Sequence, residues 1–159
     1  MINSVNFFNN PYEIGTYGKW GCIGYNAQQA IAIYNICQLD HFDISIYEII
    51  DMLRQKHGLR LFGRWGTRLR ATKKVLNILG FDVQRQGRFY SIQQLFNHNY
   101  FFVVYMTNSE ERGRELHYQA GRVNSYKCFE LFYPNHKYES VELFYKLEEV
   151  QWAVVYTVD

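Results

Sequence analysis

Apolar positions recur at helical spacing through the first half of the chain and crowd into short runs in the second. That order predicts an α+β fold rather than alternating βαβ units. A first helix is expected from about Cys22 to Cys37, with Ile23, Ala27, Ala30, Ile31 and Tyr34 on its buried face. The second is the most clearly punctuated. Ser45 and Glu48 form a capping box, Ile44 and Ile49 are spaced as a hydrophobic staple, and Gly58 is placed to end the helix. A third, from about Thr67 to Leu79, would bury Leu69, Val75, Leu76 and Leu79, with Gly80 as its stop.

Ser91 and Gln94 repeat the capping-box pattern, which predicts a short helix over Ile92 to Asn97 before a strand from Tyr100 to Met106. The polar stretch Thr107 to Arg114 reads as a loop. Further strands are expected at about Glu115 to Val123, Tyr126 to Tyr133, Val141 to Leu147 and Trp152 to Val158, with Asn124-Ser125 as a tight turn. The expected architecture is one domain over residues 1–159. Its N-terminal helical half, with a central helix that begins at Cys22, packs on a C-terminal antiparallel sheet.

Composition narrows the function. At 159 residues the chain can bury a core without disulfide or metal staples. Its three cysteines form no C-x-x-C pair, which points to a reducing compartment, by default the cytoplasm. Residues 1–11 are polar and rich in asparagine and do not resemble a signal peptide. Tyr100 to Met106 and Trp152 to Val158 are too short to cross a bilayer as helices, so no membrane role is expected. A net charge of +2 gives little long-range field and argues against a nucleic-acid partner. The basic residues are nonetheless concentrated, with Arg54, Lys56, Arg60, Arg64, Arg68, Arg70, Lys73 and Lys74 close together. Such a run is either a solvated helix face or a surface for an acidic partner. The 14 tyrosines suit the edge of a tight core, rings buried and hydroxyls wet. No phosphate-binding loop, dinucleotide fingerprint or metal-binding histidine pair occurs, so neither cofactor nor metal is expected.

The candidate chemistry centres on Cys22, in Gly-Lys-Trp-Gly-Cys-Ile-Gly-Tyr-Asn-Ala. A thiol at the first turn of a helix meets unpaired N–H groups and the positive end of the dipole, both of which favour the thiolate. Flanking glycines let a substrate or backbone approach. Cys37 and Cys128 lie among apolar residues and read as packing groups, the commoner role for an unpaired cysteine. A thiol nucleophile needs a base. His41, His57, His98 and His136 are placed at helix ends, in an asparagine-rich loop or in a turn and read as surface residues. His117, in Glu-Leu-His-Tyr-Gln-Ala-Gly, is expected to open a strand after the polar loop, where a sheet rim presents a side chain to a cleft.

With these pieces in order, the chain resembles the papain-like cysteine peptidase superfamily, and in outline its compact bacterial C39-type (bacteriocin leader) members. The carriers are Gly21-Cys22-Ile23-Gly24 opening the first helix, Leu79-Gly80-Phe81 closing the third, Ser91-Ile92-Gln93-Gln94-Leu95 before a strand, His117-Tyr118, and Phe132-Tyr133-Pro134-Asn135. The resemblance implies hydrolysis of a peptide or isopeptide bond in a peptide or protein substrate, with Cys22 as nucleophile and His117 as base. It also implies small residues before the scissile bond. Two departures stand out. Where C39-type members carry Asp or Asn before a proline, this chain has Tyr133; Asn135 is the nearest residue able to orient the imidazole, and is equally a turn residue. The family's glutamine ahead of the cysteine is absent, the first being Gln28. Acyl transfer to an amine, or a catalytically inactive papain-like module that binds an acidic protein or nucleic acid, are the alternatives these departures leave open.

Overall fold

The capping box seen in the sequence forms as written. In the computed structural model, which describes residues 23–59, 67–87, 95, 97–109, 113–123, 129–133, 136–139 and 152–159, α1 spans Ile23–Leu39, α2 Ile46–Gln55 and α3 Leu69–Ile78. At the start of α2 the Glu48 N–H donates to the Ser45 hydroxyl (3.2 Å) and the Ser45 N–H donates to the Glu48 carboxylate (2.9 Å). Ile49 is buried and Ile44 packs against the same core. The Ser45 N–H, and after it the hydroxyl, hold the Glu48 carboxyl below its ordinary range.

The three described helices end in the same way. Phe42, Gly58 and Phe81 donate their N–H groups back to Cys37, Leu53 and Leu76, at 2.8, 2.8 and 3.1 Å, the long-range bond of a Schellman motif. Such a motif needs a left-handed residue just before the donor. Gly80 supplies it for α3, at φ 100°, as expected. For α1 and α2 it is His41 (φ 57°) and His57 (φ 53°). Gly58 therefore follows the turn instead of making it, and His57 bears a conformation that costs a residue with a Cβ about 1–2 kcal/mol.

Helix α3 begins two residues later than expected because Thr67 has other partners. It forms an isolated bridge with Leu59, and its hydroxyl donates to the Tyr118 phenol oxygen at 2.8 Å.

Six strands follow among the described residues: β1 (Val83–Gly87), β2 (Tyr100–Ser109), β3 (Gly113–Val123), β4 (Phe129–Tyr133), β5 (His136–Glu139) and β6 (Trp152–Val158). They pair antiparallel in the order β1-β6-β2-β3-β4-β5. The α+β expectation is met, with corrections. The stretch Thr107 to Arg114 is mostly strand, since β2 and β3 pair over ten positions from Tyr100↔Arg122 to Ser109↔Gly113. Ladder bonds are made by the backbone and need no apolar side chains, so a polar sequence does not reveal them. His136 pairs with Tyr133 at the start of β5 rather than lying in a turn. Strand β1 is an addition to the expected elements, its sequence Val-Gln-Arg-Gln-Gly being mostly polar. Of the expected helix over Ile92 to Asn97, Leu95 and Asn97 are described and lie in a 3-10 turn. The Asn124-Ser125 turn and the strand Val141 to Leu147 lie outside the described residues.

Register assigns each buried strand residue to one side of the sheet. Tyr118, Val104 and Val154 are cross-strand partners, as are Ala120, Phe102 and Tyr156. These residues join Ala27, Ile31, Ile49, Leu53, Val75 and Leu76 in one core, with Phe102 stacked on Tyr156 (4.5 Å between centroids, 5° between planes). Helix α1 is enclosed by this core on nearly every side, and even Gln28, Gln29 and Asn35 are buried. The alternate residues Phe101, Val103, Gln119, Val155 and Thr157 lie on the other side of the sheet and are buried as well.

Candidate functional site

Helix α1 is described from Ile23, the residue after Cys22 in the sequence. Cys22 and Asn135 themselves lie outside the described residues, as does Cys128. What can be followed is how α1 is held. Gln28, six residues after Cys22, accepts the backbone N–H of Tyr118 on its amide oxygen at 3.2 Å. Gln29 donates to the Arg68 carbonyl (3.0 Å) and the Thr72 hydroxyl (2.8 Å) at the start of α3. The first two described turns of α1 are thus tied to β3 beside His117 and to the N-terminus of α3.

His117 does not open its strand. It is the fifth residue of β3, paired with Tyr105, because the strand extends through the polar stretch that reads as a loop. Its ring stacks on Tyr105, with centroids 4.9 Å apart and planes inclined by 20°. It is buried, at 8% exposure, and lies on the side of the sheet opposite Tyr118 by strand alternation. Burial and the stack on Tyr105 together restrict the rotation of the imidazole.

Gln119 shares that side, two residues on, and is 1% exposed. Its amide nitrogen has no hydrogen-bond partner among the described residues. A buried amide donor left open is costly, about 1–3 kcal/mol, and asks for an explanation. Sequence reasoning does not single it out, although a signal is present: His117 and Gln119 are the polar positions of one face in an otherwise apolar strand segment.

The remaining candidates are sorted by their surroundings. Cys37 is a buried packing residue, as expected. Burial, and then the charge of Asp40, push its thiol up to about 12, so it stays protonated at neutral pH. His41 and His57 sit at helix ends, as expected, in the left-handed turns described above. His98 is half-buried rather than simply on the surface, its Nδ1 lying 2.6 Å from the Asp159 carboxylate, which also accepts the Asn99 N–H at 3.0 Å. No described helix is long and apolar enough to cross a membrane.

No protein-family model and no curated protein sequence matches the chain. Among solved structures, the chain is similar to the peptidase domain of Streptococcus ComA, a bifunctional ABC transporter involved in a quorum sensing pathway. The superposition covers 89% of this chain and 98% of that one, with a TM-score of 0.58 and 13% identity. The chain therefore shares the α+β fold of that peptidase domain.

Proposed function

We propose that this protein is a cysteine-dependent hydrolase that cleaves a peptide bond. Cys22 attacks the carbonyl carbon, His117 takes the thiol proton and returns it to the leaving amine, and water releases the acyl group. Asn135 orients the imidazole through its amide oxygen. The observation that carries this reading is the tie between α1 and β3. The helix described from the residue after Cys22 is bonded through Gln28 to the backbone of Tyr118, the residue next to His117. Likeness to a peptidase domain over 89% of the chain supports the same chemistry. The substrate is a peptide or protein segment with small residues before the scissile bond, and three cysteines without a C-x-x-C pair suit a bacterial cytoplasm.

The test is the pH dependence of alkylation by iodoacetamide, read by peptide mapping, in the parent protein and in His117→Ala. Cys37, its thiol pushed up to about 12, is the internal control and stays unmodified near neutrality. Cys22 should react fast well below pH 8 and lose that advantage without His117, and Cys22→Ala should reduce peptide cleavage to background. Equal reactivity of Cys22 in the two proteins would sink the thiolate–imidazolium pair and leave a binding module of the same fold. A new amide in place of a free acid, with an amine present, would assign acyl transfer.

A further inference from the structure

Helix α3 carries its charges against the preferences of a helix. Its first turn holds no acidic residue, and Arg68 at the N-cap and Arg70 in the first turn place cations where the dipole disfavours them. Lys73 and Lys74 stand at i+3 and i+4 from Arg70, spacings at which like charges repel. Ala71, Thr72, Val75 and Leu76 face the core, which leaves Arg68, Arg70, Lys73 and Lys74 exposed. None of these four has an acidic partner among the described residues, where the ion pairs are Arg54–Asp51 and His98–Asp159. The same outward surface carries an apolar group. Ile78 stands one turn beyond Lys74 and two beyond Arg70, and is 55% exposed. Arg70, Lys74 and Ile78 therefore form one line about 12 Å long on the helix, with Lys73 and Asn77 alongside.

We infer that this face of α3 docks an acidic peptide segment that also bears an apolar side chain. Charge complementarity selects the acid, since carboxylates laid along Arg70, Lys73 and Lys74 would relieve their mutual repulsion and complement the dipole at the helix N-terminus. Ile78 selects a peptide over a nucleic acid. A phosphate backbone offers nothing to an exposed isoleucine, and a net charge of +2 lacks the strongly basic balance of nucleic-acid binders. The surface does not depend on the chemistry proposed for Cys22, and its test needs no turnover.

The experiment is fluorescence anisotropy on the full chain with a labelled peptide in which glutamates flank two leucines. Its lysine counterpart and a labelled oligothymidine are the comparisons. The glutamate peptide should bind, and binding should weaken as salt is raised. The triple variant Arg70→Glu, Lys73→Glu, Lys74→Glu should lose about tenfold or more in affinity, and Ile78→Ser about threefold. Placing acid in the first turn favours the helix, so a retained melting temperature beside lost binding separates docking from unfolding. Should the triple variant fail to fold, Lys74→Glu alone and the salt titration of the parent carry the test. Equal binding by parent and variants overturns the inference and leaves a solvated face. Tighter binding of oligothymidine, with Ile78→Ser without effect, also overturns it and assigns the face to nucleic acid.

Discussion

The two sides of the central sheet are buried to a similar degree but are built differently. The helix-facing side uses Phe102, Val104, Ala120, Val154, Tyr156 and Val158, and its one buried phenol besides Tyr156, that of Tyr118, is bonded to Thr67. The opposite side mixes Phe101, Val103 and Val155 with Gln119, Thr157 and His117. Thr157 is satisfied by Gln86, whose amide donates to its hydroxyl at 2.9 Å, while the Gln119 nitrogen is left open. The strand residues of one side are apolar or paired and those of the other include polar groups, while buried polar atoms without a hydrogen bond among the described residues occur both at Gln119 Nε2 and, within the helical core, at Gln29 Oε1.

The sharpest way to break this contrast is to cut into the helix-facing side. Phe102→Ala removes a fully buried ring and its stack on Tyr156, and should cost about 3–5 kcal/mol in urea unfolding. Gln28→Leu should cost about 1–3 kcal/mol, because it removes the side-chain oxygen that accepts the Tyr118 N–H. It should also slow alkylation of Cys22 if the helix start is aligned through that bond. Gln119→Met tests the other side with the opposite sign. Removing an open buried donor should raise stability by about 1 kcal/mol, and a simultaneous loss of peptide cleavage would show that the open amide serves the substrate. A gain in stability with full activity would reduce Gln119 to an uncompensated polar residue.

Two smaller effects bear on the edges of the helical core. The Tyr100 hydroxyl donates to the Asp40 carboxylate (3.0 Å) and the Leu39 carbonyl (3.3 Å), joining β2 to the end of α1. Burial, then the bond and charge of Asp40, push its pKa up to about 12 from 10. A raised folded pKa means the neutral phenol is favoured in the native state. This contribution is therefore complete below pH 10 and is lost as pH rises from 10 to 12. Tyr100→Phe should flatten that alkaline decline in melting temperature. His57→Gly relieves a left-handed residue, and should stabilise by less than about 1 kcal/mol once the added freedom of the unfolded chain is counted.

The same contrasts separate what the sequence encodes locally from what only tertiary pairing decides. The start of α2 is legible because Ser45 and Glu48 encode it locally, and β6 is legible to the residue because Trp152 to Val158 is a nearly unbroken apolar and aromatic run. Strand β1 is not, since Val83 is the one strongly apolar residue in it and the pairing that makes it a strand comes from β6. The place of His117 within its strand is not legible, because the length of the β2–β3 ladder is set by backbone pairing across the hairpin. Gln119 escapes sequence reasoning because an open donor is a property of its surroundings and has no local signature.

The place of β6 bears on the order in which the sheet can assemble. The β2–β3 hairpin joins neighbours in sequence and can form early. Strand β6 must enter between β1 and β2, where Val83 meets Val158 across 75 positions of chain. Closing so long a loop is slow, and until it closes β1 and one edge of β2 stand unpaired. A chain halted before residue 152 would expose two adhesive edges at once, so the last strand to arrive is also the guard against aggregation.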